Sequence, residues 1–169
     1  NVFDFLRDSD TDSICITTNG VTNYNGQAIC GAGSAGEAAS RWPSIRVNLG
    51  RALKAYGNLP YVIGLIDPNG DFQNPTSKSI KDKNFKCLIW SFPTKNDFRN
   101  DAVPELIERS ALAMVEHADR MGLKKIALAC QGVGKQIGRL SYTAQVQPVI
   151  NRILDDRFII CYLDDNDIL

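Results

Sequence analysis

Five short apolar runs separated by stretches of helical periodicity restrict this chain more than any other feature. The runs cover residues 13–18 (SICITT), 61–66 (YVIGLI), 85–92 (FKCLIWSF), 125–130 (KIALAC) and 158–163 (FIICYL). They are short and rich in β-branched and aromatic residues, and they read as buried strands. Residues 35–42 follow a helical pattern that stops at Pro43. A second helix then carries Ile45, Leu49, Ala52 and Leu53 on one side and ends near Gly57. Residues 103–121 predict a long amphipathic helix, with Ile107, Ala111, Met114, Ala118 and Met121 facing the core and Gly122 as its stop. Ser141 resembles the cap of another helix, whose stripe is Val146, Val149, Ile150 and Ile153 and whose end lies near Asp155. This alternation predicts a mostly parallel sheet covered on both faces. Residues 1–6 read as a strand exit or the entry to a short helix, and residues 73–84 as an exposed loop. The acidic cluster at residues 8–12 lacks the glycine and distal glutamate of a calcium loop and reads as a solvated turn.

At 169 residues the chain is expected to be one domain, residues 1–169. Lysine and arginine total 19 against 19 aspartates and glutamates, so overall charge does not draw it to nucleic acid or an anionic membrane. No apolar run approaches the roughly 20 residues that span a bilayer. Because the sequence opens on Asn1 rather than methionine, the domain is expected to have been cut from a longer chain. Cys15, Cys30, Cys87, Cys130 and Cys161 are odd in number and lack the close spacing of a zinc site. Buried thiols, a reducing cytoplasmic location and no metal are therefore expected. Cys30 is the exception to watch, either as a perturbed thiol or as a small residue filling a tight loop.

Two glycine-rich loops follow strand-like runs. The first, after residues 14–17, contains Cys30, Gly31, Ala32, Gly33 and Ser34; the second contains Gly132, Val133, Gly134, Lys135, Gln136, Ile137, Gly138 and Arg139. Glycine lets backbone N–H groups approach an anion, and a helix start adds partial positive charge. Taken alone, the first loop fits a phosphate cradle and an ordinary turn equally well. Neither loop is a Walker motif or a dinucleotide fingerprint. Residues 93–99 sit at the C-terminal end of the third run, where ligand loops of α/β sheets gather. The only histidine, His117, lies mid-helix, remote from the glycine loops, and reads as a partly exposed structural residue.

The order of these motifs resembles the macro domains, which bind ADP-ribose. The resemblance is carried by Thr17-Thr18-Asn19-Gly20, Cys30-Gly31-Ala32-Gly33-Ser34-Ala35, Ser91-Phe92-Pro93-Thr94-Lys95 with Arg99, and Gly132-Val133-Gly134 leading to Arg139-Leu140-Ser141-Tyr142. It extends over nearly the whole chain and is nearest the branch containing glycohydrolases that reverse ADP-ribosylation on terminal carboxylates and on DNA. It implies a three-layer α/β/α fold with a central mixed, mostly parallel sheet. It also implies that Asn1, with Val2 beside it, lies at the adenine, and that Asn19, with Gly20, lies at the distal ribose. Residues Cys30, Gly31, Ala32, Gly33 and Ser34 match the first phosphate loop, and Gly132 to Arg139 the second. Thr94 matches a ligand-binding position, and Tyr162 lies within one residue of a position that supports the adenosine end.

The departures bear on activity. The lysine nucleophile of the nearest branch is matched here by Tyr61, and the second loop has no carboxylate to serve as base. Ser34 stands near the aspartate of the other hydrolase branch, and Lys54 and Lys95 are the candidate replacements for the nucleophile. The leading expectation is a binder of ADP-ribose, or of a macromolecule bearing it, without a further cofactor. The alternatives are a hydrolase removing ADP-ribose from protein or nucleic acid, with Asn19 positioning water, and a sensor module of a bacterial or phage-defence protein.

Overall fold

The computed structural model describes residues 1–129 and 141–162. A 3-10 helix, Val2–Arg7, leads into β1 (Ser13–Thr18), followed by α1 (Gly33–Arg41) and α2 (Ser44–Tyr56). Next come β2 (Val62–Ile66), β3 (Phe72–Gln73), α3 (Ser77–Lys81), β4 (Cys87–Pro93) and α4 (Pro104–Met121). β5 (Ile126–Ala129), a π-helical turn (Tyr142–Val146) running into α5 (Gln147–Ile153), and β6 (Phe158–Cys161) complete the order. The strands form one sheet in the order β3-β2-β4-β1-β5-β6. β4, β1, β5 and β6 are mutually parallel, whereas β2 runs antiparallel to β4 and β3 antiparallel to β2.

Side-chain alternation builds the three layers. Ile14, Ile16, Ile63, Ile89 and Ala127 pack under α1, α2 and the 3-10 helix. Cys15, Leu65, Leu88, Trp90 and Leu128 point the other way, toward Ile107, Ala111 and Met114 of α4 and Ile150 of α5. Both faces are covered, so β1 and β4 read as nearly continuous apolar runs. The expected mixed, mostly parallel α/β/α architecture is the observed one.

Of the two readings of residues 1–6, the short helix is the observed one, a 3-10 helix at Val2–Arg7 capped where Asn1 Oδ1 accepts from the Phe3 N–H at 3.1 Å. Two other local features differ from the sequence expectation. Residues 73–84 are not one loop, because Thr76 and Ser79 form a reciprocal capping box that starts α3. β2 enters the sheet reversed. It turns into β3 through residues 67–70, where the Asp67 carboxylate accepts from the Asn69 and Asp71 amides and Gly70 has φ +91°. The expected strand at 125–130 is β5, with Cys130 outside the described residues; residue 163 of the last run also lies outside them.

Candidate functional site

β1, β4 and β5 end on one edge of the sheet, with Thr18 opposite Pro93. Because β2 is reversed, its start lies on the same edge, Val62 opposite Trp90. Three connections meet there: residues 19–34, 57–61 and 94–103. They are tied by backbone bonds from Thr94 N–H to the Thr18 carbonyl (3.1 Å), from Gly20 N–H to the Asn96 carbonyl (3.1 Å) and from Val103 N–H to the Thr94 carbonyl (2.9 Å). Asn58 Nδ2 donates to the Lys95 carbonyl at 2.9 Å, and Tyr61 N–H donates to Ser91 Oγ at 2.9 Å. The edge is thus a cross-braced platform.

The first glycine loop is fixed on this platform by Ser34. Its Oγ accepts from the Thr17 N–H at 3.0 Å and lies 3.1 Å from Thr17 Oγ1, which seats the start of α1 on the end of β1. Gly33 holds φ +61°, a conformation that favours glycine. The N-cap, Ala32, offers no side-chain acceptor to the first-turn amides. Among the described residues, a Cβ placed on Gly31 or Gly33 would meet nothing within 4 Å. One on Gly36 would approach the Gly31 carbonyl oxygen to 3.1 Å, which keeps the loop tight against the helix behind. Uncapped amides, a favourable helix dipole and, among the described residues, no side chain against the glycines make a surface that accepts an anion. Ser34→Ala is expected to cost about 1–3 kcal/mol, because it leaves the Thr17 N–H without its acceptor; urea unfolding checks this.

Asn19 is 9% exposed and braces its own loop. Its Nδ2 donates to the Ile29 carbonyl at 2.9 Å, and its Oδ1 accepts from Val21 N–H at 3.0 Å. One N–H and one lone pair remain for other work. Asn1 is similarly engaged, with Nδ2 donating to Glu37 Oε2 at 3.0 Å. Burial opposes the Glu37 charge, but hydrogen bonds from Asn1 and Arg41 outweigh it and hold that carboxyl below its usual range. Val2 is buried in the α1/α2 core. Thr94 is buried as well and acts through its backbone. Cys30 is buried, and desolvation, against a weaker opposing pull from Arg46, raises its thiol pKa, so it behaves as a small core residue. Tyr162 packs against the α4/α5 core, on the sheet face opposite Val2. The second glycine loop, Gly132 to Arg139, lies outside the described residues.

Tyr61 stands immediately before β2 on this edge. Burial first, then Tyr56, raises its phenol pKa, and the Tyr56 ring lies 5.5 Å away. Lys54 is exposed on the last turn of α2. Lys95 is half-buried, and desolvation lowers its pKa against the opposing charge of Asp101. Arg99 pairs within its own turn with Asp97, whose carboxyl it holds at about 2. Among the described residues no cluster of His, Cys, Asp and Glu is arranged to hold a metal.

Asn58 was not singled out by sequence. Gly20 fits against it so closely that a Cβ there would lie 3.0 Å from Asn58 Nδ2 and from the Asn96 carbonyl oxygen. A single asparagine after Gly57 carries the same signal as any turn residue, and only the fold brings residue 95 beside it. Four buried side-chain oxygens lack a partner among the described residues, and three of them, Thr18 Oγ1, Asn58 Oδ1 and Tyr61 Oη, belong to this edge.

This is the architecture of a macrodomain. Thermosipho africanus DarTG, solved in complex with ADP-ribose, superposes with a TM-score of 0.67 and 23% identity over 94% of this chain. The match takes in 39% of the DarTG chain, so the present chain spans about two fifths of that protein. The macrodomain of Mycobacterium tuberculosis DarG matches with a TM-score of 0.62 and 21% identity, covering 93% of this chain and 91% of that one. The macrodomain of Thermus aquaticus DarG gives 0.65 and 18% over 97% and 94%. No family profile and no curated protein matches the sequence.

Proposed function

We propose that the chain binds ADP-ribose, free or carried on a macromolecule, with the diphosphate on the amides of residues 31–34. The observation that carries this reading is the uncapped start of α1 behind Gly31 and Gly33, against which no described residue packs at the strand-end edge. A structural neighbour solved with ADP-ribose supports it. In this reading Asn19 and Gly20 flank the distal ribose, and Asn1 and Val2 lie toward the adenine. Thr94 supports the floor. Titration calorimetry and thermal shift with ADP-ribose test the proposal; absence of both heat and stabilisation at millimolar ligand would overturn it.

One observation favours a second reading, hydrolysis of an ADP-ribosyl bond. Lys95 sits at the same edge with its ammonium disfavoured by burial, as a nucleophilic lysine requires. Its neutral amine would attack the ribose C1″ and displace the attached group, and water would then release ADP-ribose. Tyr61, protonated at neutral pH, is poorly suited to that role. ADP-ribosylated protein and DNA should be incubated with wild type and Lys95→Met. Turnover abolished by the substitution supports hydrolysis through Lys95, and turnover that persists rejects it. A role as the sensing part of a longer cytoplasmic protein is consistent with the fraction of DarTG that this fold occupies.

A further inference from the structure

We propose that Glu37 is a positioning residue for base selectivity: it fixes the Asn1 amide so that the site takes a 6-aminopurine and rejects a 6-oxopurine. The inference rests on the ADP-ribose reading above, in which Asn1 lies toward the adenine. Glu37 stands about one turn beyond Ser34 on α1. There its Oε2 accepts from Asn1 Nδ2 at 3.0 Å, docking Asn1 on the helix whose start is the proposed diphosphate cradle. The other end of the same amide is held as well, because Asn1 Oδ1 accepts from the Phe3 N–H at 3.1 Å. An asparagine amide has one accepting and one donating end, and these two partners distinguish them. Turned over, it would set Nδ2–H against the Phe3 N–H and Oδ1 against a carboxylate.

Glu37 is itself held. Arg41, one turn further along α1, donates from Nε and Nη2 to Oε1 at 3.1 and 2.6 Å, which leaves Oε2 to Asn1. The Arg41 guanidinium also lies 4.7 Å from the centre of the Phe3 ring, and Phe3 is buried. Phe3, Asn1, Glu37 and Arg41 thus close a ring of contacts between the 3-10 helix and α1. The charge on Glu37 persists at neutral pH: burial raises its pKa, but hydrogen bonds from Asn1 and Arg41 outweigh that and hold it below the ordinary 4.5. A charged hydrogen bond opposes reversal of the amide more strongly than a neutral one.

One Oδ1 lone pair and one Nδ2–H remain for a ligand. Adenine complements that pair through its 6-amino hydrogens and N7, the contact by which asparagine reads this base. Hypoxanthine carries an oxygen at position 6, so it brings an acceptor against Oδ1 and binds well only when the amide turns over. In Glu37→Gln the side chain can donate as well as accept, so it no longer penalises the reversed amide, and only the Phe3 N–H opposes it.

Titration calorimetry with ADP-ribose and with its hypoxanthine analogue, inosine diphosphate ribose, tests this. Wild type is expected to prefer ADP-ribose at least about 10-fold, within the discrimination usual for one such amide–base pair. Glu37→Gln should reduce that preference at least about 5-fold, chiefly by improving affinity for the hypoxanthine analogue, whereas a merely structural role would weaken both ligands together. Circular dichroism should show the variant folded, and Glu37→Ala, which also frees the amide, should shift the preference the same way. Because Glu37 acts through Asn1, Glu37→Gln should leave the preference unchanged in an Asn1→Ala background. Equal wild-type affinities, an unchanged preference in both variants of Glu37, or an effect that persists without Asn1 would overturn the proposal while leaving ADP-ribose binding intact. Failure of wild type to bind ADP-ribose would overturn the parent reading and this inference with it.

Discussion

Gly33→Val is expected to weaken ADP-ribose binding at least about 100-fold, or about 2.7 kcal/mol. Two effects combine. A β-branched residue disfavours the left-handed φ of +61° that Gly33 holds, at a cost of about 1–2 kcal/mol. Its side chain would also project in front of the first-turn amides, where a Cβ meets nothing within 4 Å among the described residues. The substitution thus strains the loop and blocks the cradle. Gly31→Ala is the matched comparison, because its Cβ also meets no described residue within 4 Å but Gly31 lacks the positive φ. Calorimetry should show strong loss for Gly33→Val. Circular dichroism should show both variants folded. Wild-type affinity in Gly33→Val would place the anion elsewhere.

The second large effect is on stability. α2 crosses the 22–28 loop so closely that a Cβ on Gly50 would lie 2.0 Å from the Gly26 carbonyl oxygen. The nearest atoms, the Gly26 carbonyl oxygen and carbon and the Ala28 nitrogen, all belong to main chain, so none can rotate aside. The crossing is locked by the Ala28 N–H donating to the Arg46 carbonyl at 2.9 Å and by the bridge between Thr22 and Ala28. Gly50→Ala must push the loop off the helix, at about 3 kcal/mol, the upper part of the usual range for overpacking. For a domain of this size that lowers Tm by about 6–12 °C. Ligand affinity should fall with it, since the displaced loop joins Asn19 to Cys30. An unchanged melting temperature would show that the loop yields freely.

What was legible in the sequence follows from how local each signal is. The first glycine loop could be read because glycine spacing, a preceding apolar run and a following helix lie within one short stretch. The strands could be read for the same reason, and their burial on two faces accounts for the near absence of polar alternation in β1 and β4. Strand direction was not legible. YVIGLI has the same pattern whichever way it runs, and the reversal of β2 depends on the path through α1 and α2, which returns the chain to the edge where β1 ends. Asn58 was missed because its partners at residues 20 and 95 are distant in sequence. The resemblance singled out Asn1 and Asn19 as expected ligand contacts, but their structural duties were not legible. Each asparagine also satisfies a backbone N–H of its own segment, which depends on local φ and ψ rather than on residue type.

The reversal of β2 has a further consequence for how this protein can change. A run of parallel strands sends its connections alternately to the two sheet edges, so each new rim loop needs a whole strand–helix unit. One reversed strand brings residues 57–61 to the rim directly, while its hairpin turn at residues 67–70 faces the opposite edge. The two ends of β2 are therefore open to independent variation. In the proposed binding mode, changes in residues 57–61 would alter the rim without touching the amides of residues 31–34. The far turn, exposed at Asn69 and Gly70, is a place to attach a dye or a fused domain without crossing the ligand's path.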